Sequence, residues 1–177
     1  MSFSSCGPLV TEAPIARTAE IRAQANEMLA IYDLNDWTFA FNRRKTAMGL
    51  CLYGPKRIEL SLHFAQRNGP VAVRDTLLHE IAHALVGPGH GHDKVWKQKC
   101  AEIGGKPERL SFDVEMPAGR WQARCGCCGM LHSKHRRPKH PVGWYCTHCG
   151  KERGRLTWGL ARQLPTIGEQ ALARITA

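Results

Sequence analysis

The chain has 177 residues, with 25 basic and 15 acidic side chains and a formal net charge of +10 at pH 7. It contains no run of about 18 apolar residues and no apolar leader at its N-terminus, which argues against a membrane or secreted class. We therefore expect a soluble monomer without a membrane partner, cytoplasmic or nucleoid-associated (nuclear if eukaryotic), in which eight cysteines stay reduced and favour metal over disulfides.

The first third of the sequence predicts a flexible N-terminus over residues 1–16, then a helix and three strands. Apolar residues at helical spacing predict a helix from Thr18, as its N-cap, to about Tyr32. Alternation predicts a strand over 37–42. Two further strands, 50–53 and 57–62, flank a Gly-Pro-Lys turn and predict a hairpin. We expect these strands to form a three-stranded antiparallel sheet, with strand 57–62 beside the cleft.

The next predicted helix, over residues 71–86, carries the motif His79-Glu80-Ile81-Ala82-His83. Histidines at i and i+4 lie on one face of a helix, so both imidazoles can reach one Zn²⁺. The carboxylate of Glu80 follows the first ligand and can accept a proton from water at the metal. The sequence thus predicts a zinc-dependent hydrolase, with a peptidase as the leading reading.

A third zinc ligand is needed, and the spacing alone leaves three candidates. His90 and His92 follow a Gly-Pro-Gly turn, and His92 opens a second helical pattern that runs to Ile103. Glu102 lies at the distance at which some zinc peptidases place a glutamate ligand. The two predicted helices together would bear the metal in a domain spanning residues 17–106.

A predicted linker over 107–119 leads to a small β zinc ribbon over 120–160, and a tail over 161–177 follows. The ribbon contains two C-x-x-C-G turns, whose thiolates are the expected ligands of a closed structural zinc site. The four predicted ligands are Cys125, Cys128, Cys146 and Cys149. The chain therefore predicts an α+β fold with two Zn²⁺ ions, one catalytic and one structural.

Charge is concentrated on this ribbon, because residues 119–162 hold ten basic side chains and one acidic side chain. Such a basic face attracts a phosphate backbone, and its aromatic residues can stack on unpaired bases. We expect a nucleic acid as a partner, in single-stranded or junction-containing form rather than plain duplex. The predicted contacts are Lys134, Arg136, Arg137, Lys139, Arg153 and Arg155.

Residues 37 to about 100 resemble the SprT-like (Spartan) metalloprotease domain. The resemblance is carried by Trp37–Asn42, Gly49, Arg57–Ser61 and Thr76–Leu85, and by a histidine four residues before an aromatic. In that family this histidine is the third zinc ligand, which here is His92 before Trp96. The ribbon also resembles the C-terminal zinc ribbon of SprT-type members.

The resemblance implies a DNA-dependent zinc endopeptidase that cleaves DNA-bound or DNA-crosslinked proteins with low sequence selectivity. A second reading is a nucleic-acid-binding or transcription-associated zinc-ribbon protein with a weak or vestigial peptidase domain. The intact Glu80 favours the first reading, since a metal site kept only for structure needs no base.

Overall fold

The computed structural model describes residues 14–107, 114–140 and 142–163. Within them the chain divides into two compact units between Met116 and Pro117, inside the segment predicted as a linker. None of the described helices is both long and apolar enough to cross a membrane. The predicted tail beyond residue 163, like residues 1–13, lies outside the described residues.

The first unit is a mixed α+β fold, which confirms the predicted class. Its elements are α1 (Pro14–Ile31), β1 (Thr38–Asn42), β2 (Gly49–Leu52), β3 (Arg57–Ser61), α2 (Leu62–Ala65), α3 (Pro70–Val86) and α4 (Lys94–Glu102). Helix α1 begins earlier than predicted, because proline is well suited to the first turn of a helix. Thr18 therefore lies inside α1 rather than at its N-cap, and residues 14–16 are helical rather than flexible.

The expectation of a wholly antiparallel sheet is wrong. The strand order is β1-β3-β2, with β2 antiparallel to β3 as the hairpin predicted and β1 parallel to β3. The connection over residues 43–48 is long enough to leave room for β3, since two strand spacings amount to about 10 Å. Ser61 holds that connection: its N–H donates to the Met48 carbonyl at 2.7 Å, and its hydroxyl donates to the Arg44 carbonyl at 2.6 Å.

One hydrophobic core joins α1, the sheet and α3. Its most deeply buried members include Ile58, Leu60, Phe64, Leu77 and Leu78. Burying side chains of this size is the main stabilising contribution to such a unit. The face of α3 opposite its metal-ligand candidates is therefore fixed by packing, and this fixes the direction of the ligand side chains.

The second unit is a β-rich ribbon. Its elements are β4 (Trp121–Arg124), β5 (Leu131–Lys134), β6 (Trp144–Tyr145), α5 (Gly150–Arg153), β7 (Arg155–Leu156) and β8 (Gly159–Leu160), followed by a 3₁₀ turn over Ala161–Gln163. Strands β5, β4 and β8 form one antiparallel sheet, and β6 pairs with β7. Its small core combines Ala123 and Leu156 with Cys125 and Cys146.

Candidate metal centres and cleft

Helix α3 and the loop after it bring three histidines together. The Nε2 atom of His92 lies 3.0 Å from that of His79 and 3.3 Å from that of His83. Nitrogen ligands placed tetrahedrally about zinc, at about 2.0–2.1 Å from it, lie roughly 3.3 Å apart. The three imidazoles therefore fit a zinc ion with a fourth position left for water or substrate.

The sequence left three candidates for the third ligand, and the geometry separates them. His92 joins the cluster with His79 and His83, whereas His90 pairs through Nδ1 with Asp93 at 2.7 Å. Glu102 is exposed and pairs with Lys99 at 2.6 Å. His92 lies outside the second helix instead of opening it, because Asp93 is the N-cap of α4 and accepts from the Trp96 N–H at 2.9 Å.

The surroundings of His79 and His83 favour the neutral form that binds metal. Burial is the main cause that lowers the pKa of His79 to about 4, and burial also lowers the pKa of His83. The second ring nitrogen of His83 donates to the backbone carbonyl of His90, an arrangement that fixes the tautomer and orientation of a ligand. The indole of Trp96 is fully buried and stacks on His83 with ring centroids 5.0 Å apart.

A cleft of about 510 Å³ opens over the histidines, between α3 and strand β2. Glu80 lines it and is buried, and burial raises the pKa of its carboxyl to about 8. A cation at the histidine site would lower that pKa and favour the carboxylate. The cleft thus combines a metal-ligand set with a carboxyl group that can accept a proton.

Strand β2 and the turn that follows it contribute cleft residues that the sequence reasoning missed. Gly49, Cys51 and Tyr53 all line the cleft, and the Tyr53 hydroxyl donates to the His83 carbonyl at 3.1 Å. Gly49 and Cys51 have the i, i+2 spacing by which residues of a strand share one side, and this spacing was the available signal. Strand β3, expected beside the cleft, lies in the middle of the sheet.

In the second unit the four predicted cysteines form one cluster. The sulfurs of Cys128 and Cys146 lie 3.8 Å apart, which matches the roughly 3.8 Å expected between thiolates bound tetrahedrally to zinc at about 2.3 Å. Backbone N–H groups of Cys128 and Cys127 donate to Cys125 and lower its thiol pKa to about 7, which favours the thiolate that metal requires.

The two C-x-x-C-G turns share the same backbone hydrogen bond and the same glycine conformation. The N–H of Gly129 donates to the Cys125 carbonyl, and that of Gly150 donates to the Cys146 carbonyl, both at 2.9 Å. Both glycines have positive φ, 75° and 72°, a conformation that glycine adopts without steric cost. Cys127 is exposed and lies outside the four-cysteine cluster.

The predicted DNA contacts have two kinds of environment. Arg136, Lys139, Arg153 and Arg155 are exposed. Lys134 is half-buried, with its ammonium 3.9 Å from the ring centroid of Trp144, and the guanidinium of Arg137 lies 5.5 Å from the ring centroid of Trp121. The ribbon therefore presents cations next to partly exposed aromatic rings.

Comparison with known proteins agrees with this geometry. The model of the SprT-like family matches residues 18–116, which contain the whole histidine cluster. The chain belongs to the SprT-like family. It is 26% identical to Protein SprT of Shigella boydii serotype 18 and of Escherichia coli O1:K1, in each case over 81% of this chain and 92% of the relative.

Membership confirms the family that the sequence motifs predicted. It places this chain among metalloprotease-family members, and the SprT-like match together with the histidine cluster fits a zinc peptidase. The relatives' match extends beyond residues 18–116, because it covers most of the chain.

Proposed function

We propose that this protein is a zinc-dependent endopeptidase that acts on proteins bound or crosslinked to DNA. The observation that carries the peptidase assignment is the meeting of His79, His83 and His92 beside Glu80 in one open cleft. A purely structural zinc site is closed by four protein ligands. Three histidines with a carboxyl group beside them are the arrangement of a hydrolytic site.

In the proposed peptide hydrolysis, the zinc ion and the protein side chains would have different tasks. A zinc ion held by the three histidines would polarise the substrate carbonyl and acidify water. Glu80 accepts the proton of the attacking water and delivers it to the amine that leaves. Its burial excludes bulk water around the proton, and the backbone N–H of Cys51 donates to its carboxylate.

An extended substrate fits along the outer edge of β2. Because Ser61 bonds to Met48 and residues of an antiparallel strand alternate in direction, Gly49 and Cys51 turn their backbone groups away from β3. Among the described strands, β3 alone pairs with β2. Main-chain hydrogen bonds to this edge, apart from the Cys51 N–H that Glu80 binds, would hold many sequences equally, which agrees with low selectivity.

The ribbon supplies the proposed DNA contact, and the protein would then hold two zinc ions, one in each unit. Exposed arginines and lysines can neutralise phosphates. The Trp144 and Trp158 rings, in edge contact with centroids 6.1 Å apart, offer surfaces for unpaired bases. Single-stranded or junction DNA would thereby bring bound proteins to the peptidase.

The decisive experiment compares wild type with Glu80→Gln, which preserves size and removes the proton acceptor. Cleavage of casein, with and without single-stranded DNA, should fall at least about 10²-fold in the variant, while both proteins bind two zinc ions. Near-wild-type cleavage by zinc-loaded Glu80→Gln would exclude Glu80 as the base. DNA binding without cleavage by wild type would instead favour a nucleic-acid-binding module.

A further inference from the structure

The candidate base is held between two elements. Glu80 projects from α3 and is only 7% exposed, and its carboxylate accepts from the backbone N–H of Cys51 on β2. A carboxylate that must collect and deliver a proton works best in one position. The strand edge therefore contributes to the placement of this side chain, in addition to forming one wall of the cleft.

Gly49 lies where β2 comes closest to that carboxylate. A Cβ atom built on Gly49 would lie 2.7 Å from Oε1 of Glu80 and 2.8 Å from its Cγ. Both distances are shorter than non-bonded carbon and oxygen atoms tolerate. The third nearest atom, at 3.1 Å, is the Glu80 Cδ, so Glu80 is the side chain against which Gly49 packs.

Neither backbone can move away to make room. Gly49 is opposite Leu60 in the β2–β3 register, and Leu60 is fully buried in the core. Helix α3 is anchored by Leu77, Leu78 and Ile81, all of which are buried. The part free to yield is the Glu80 side chain as a whole, because its Cγ and its carboxylate both move when χ1 rotates.

We propose that Gly49 is a positioning residue for the base: its hydrogen side chain lets the Glu80 carboxylate lie against β2 and bind the Cys51 N–H. This inference rests on the proposed peptidase function and assigns a catalytic reason to one residue of the edge strand. A methyl group at position 49 would turn the carboxylate away from its place without touching the zinc ligands. A displacement of about 1 Å in such a group can reduce a rate about 10²-fold.

The test uses Gly49→Ala, with Gly54→Ala as the matched control. Gly54 lies in the β2–β3 turn, where an added Cβ meets nothing within 4 Å. We expect Gly49→Ala to lower kcat for a peptide substrate about 10²-fold, with KM and zinc affinity within about threefold of wild type. Gly54→Ala should leave all three values unchanged.

A second readout is independent of catalysis. Hydrogen exchange of the Cys51 amide, followed by NMR, should quicken at least about tenfold in Gly49→Ala, since the amide loses its carboxylate acceptor. Glu80→Ala gives the exchange rate of the Cys51 amide when its hydrogen bond to the carboxylate is lost completely. In Gly54→Ala this exchange rate should match that of wild type. In the Glu80→Gln background, Gly49→Ala should change the residual rate less than about twofold.

Several outcomes would overturn the proposal. Unchanged Cys51 exchange in Gly49→Ala would show that the methyl group does not move the carboxylate, and loss of zinc would show a structural role. Should Gly49→Ala fail to fold, the double variant with Glu80→Ala must fold, since the overlap is with Glu80. If zinc-loaded wild type cleaves no more than Glu80→Gln and neither cleaves measurably, the peptidase proposal fails, and amide exchange still decides whether Gly49 positions Glu80.

Discussion

At the scale of single residues, Asp93 connects the second helix to the histidine cluster. One carboxylate oxygen accepts from the Trp96 N–H at 2.9 Å and the other binds the His90 ring at 2.7 Å. The carbonyl of His90 in turn accepts from His83. A single side chain thus caps α4 and fixes the loop that orients two candidate ligands.

The two roles of Asp93 can be separated by substitution. Asp93→Ala removes both and should lower the urea midpoint of unfolding, as the loss of an N-cap does. Asp93→Ser retains a capping oxygen and should recover most of that stability, measured by urea unfolding at fixed free zinc. Zinc affinity, by chelator competition, should fall about tenfold in both variants, since neither holds His90. Wild-type zinc affinity in Asp93→Ser would show that the His90 contact does not support the metal centre.

At the scale of elements, the sequence predicted the short metal-binding motifs correctly but did not predict how the strands pair. The i, i+4 histidines and the two C-x-x-C-G turns are short-range features, because the chemistry itself demands that spacing. Strand order depends on which distant segments bury each other's apolar faces, and alternation along one strand does not contain that information. The positions of Gly49 and Tyr53 beside the cleft depend on that strand order, so the sequence did not predict them.

Helix boundaries failed for a related reason. Thr18 is a good N-cap by residue type, but a proline earlier in the chain provides an alternative start for α1. His92 fits the apolar pattern of α4, yet the adjacent Asp93 satisfies the first-turn N–H groups better. In each case neighbouring residues compete to begin the helix, and the apolar pattern does not determine which of them does so.

Asn68 ties the end of the first unit to its core. Its side-chain amide donates to the carbonyls of Phe64 at 2.8 Å and Glu115 at 2.7 Å, and its oxygen accepts from the Glu115 N–H at 2.6 Å. Asn68 is buried, so truncation leaves these backbone groups without their partner.

Asn68→Ala should therefore lower the free energy of unfolding of the zinc-loaded protein by about 2 kcal/mol. Asn35→Ala, at an exposed position, is the control and should stay within about 0.5 kcal/mol of wild type. Denaturant melts give both values. Equal stability of the two variants would show that water replaces the Asn68 bonds without cost.

At the scale of the whole molecule, the charge distribution separates the two proposed activities. Outside residues 119–162 the chain is nearly neutral, with 15 basic and 14 acidic side chains. The proposed DNA contact should therefore depend on the ribbon, and its dependence on salt should report how many ribbon cations meet phosphates.

Replacing the exposed cations Arg136, Lys139, Arg153 and Arg155 with alanine should make the log–log salt slope of duplex DNA binding shallower by up to about 4 units. The control removes four exposed cations of the first unit, Arg43, Arg67, Arg74 and Lys97, and should change the slope by less than about 1 unit. Cleavage of a small peptide without DNA should persist in the ribbon variant. A wild-type slope in that variant would place the DNA contact elsewhere.

The order β1-β3-β2 also has a consequence for how the chain acquires its structure. Strands β2 and β3 are joined by a short turn and can pair early, whereas β1 must wait for β3 before it has a neighbour in the sheet. Destabilising substitutions in the hairpin should mainly slow folding, and those in β1 should mainly speed unfolding. The wall of the cleft would then be in place before the sheet is complete, and α1, which packs on β1, would close the unit last.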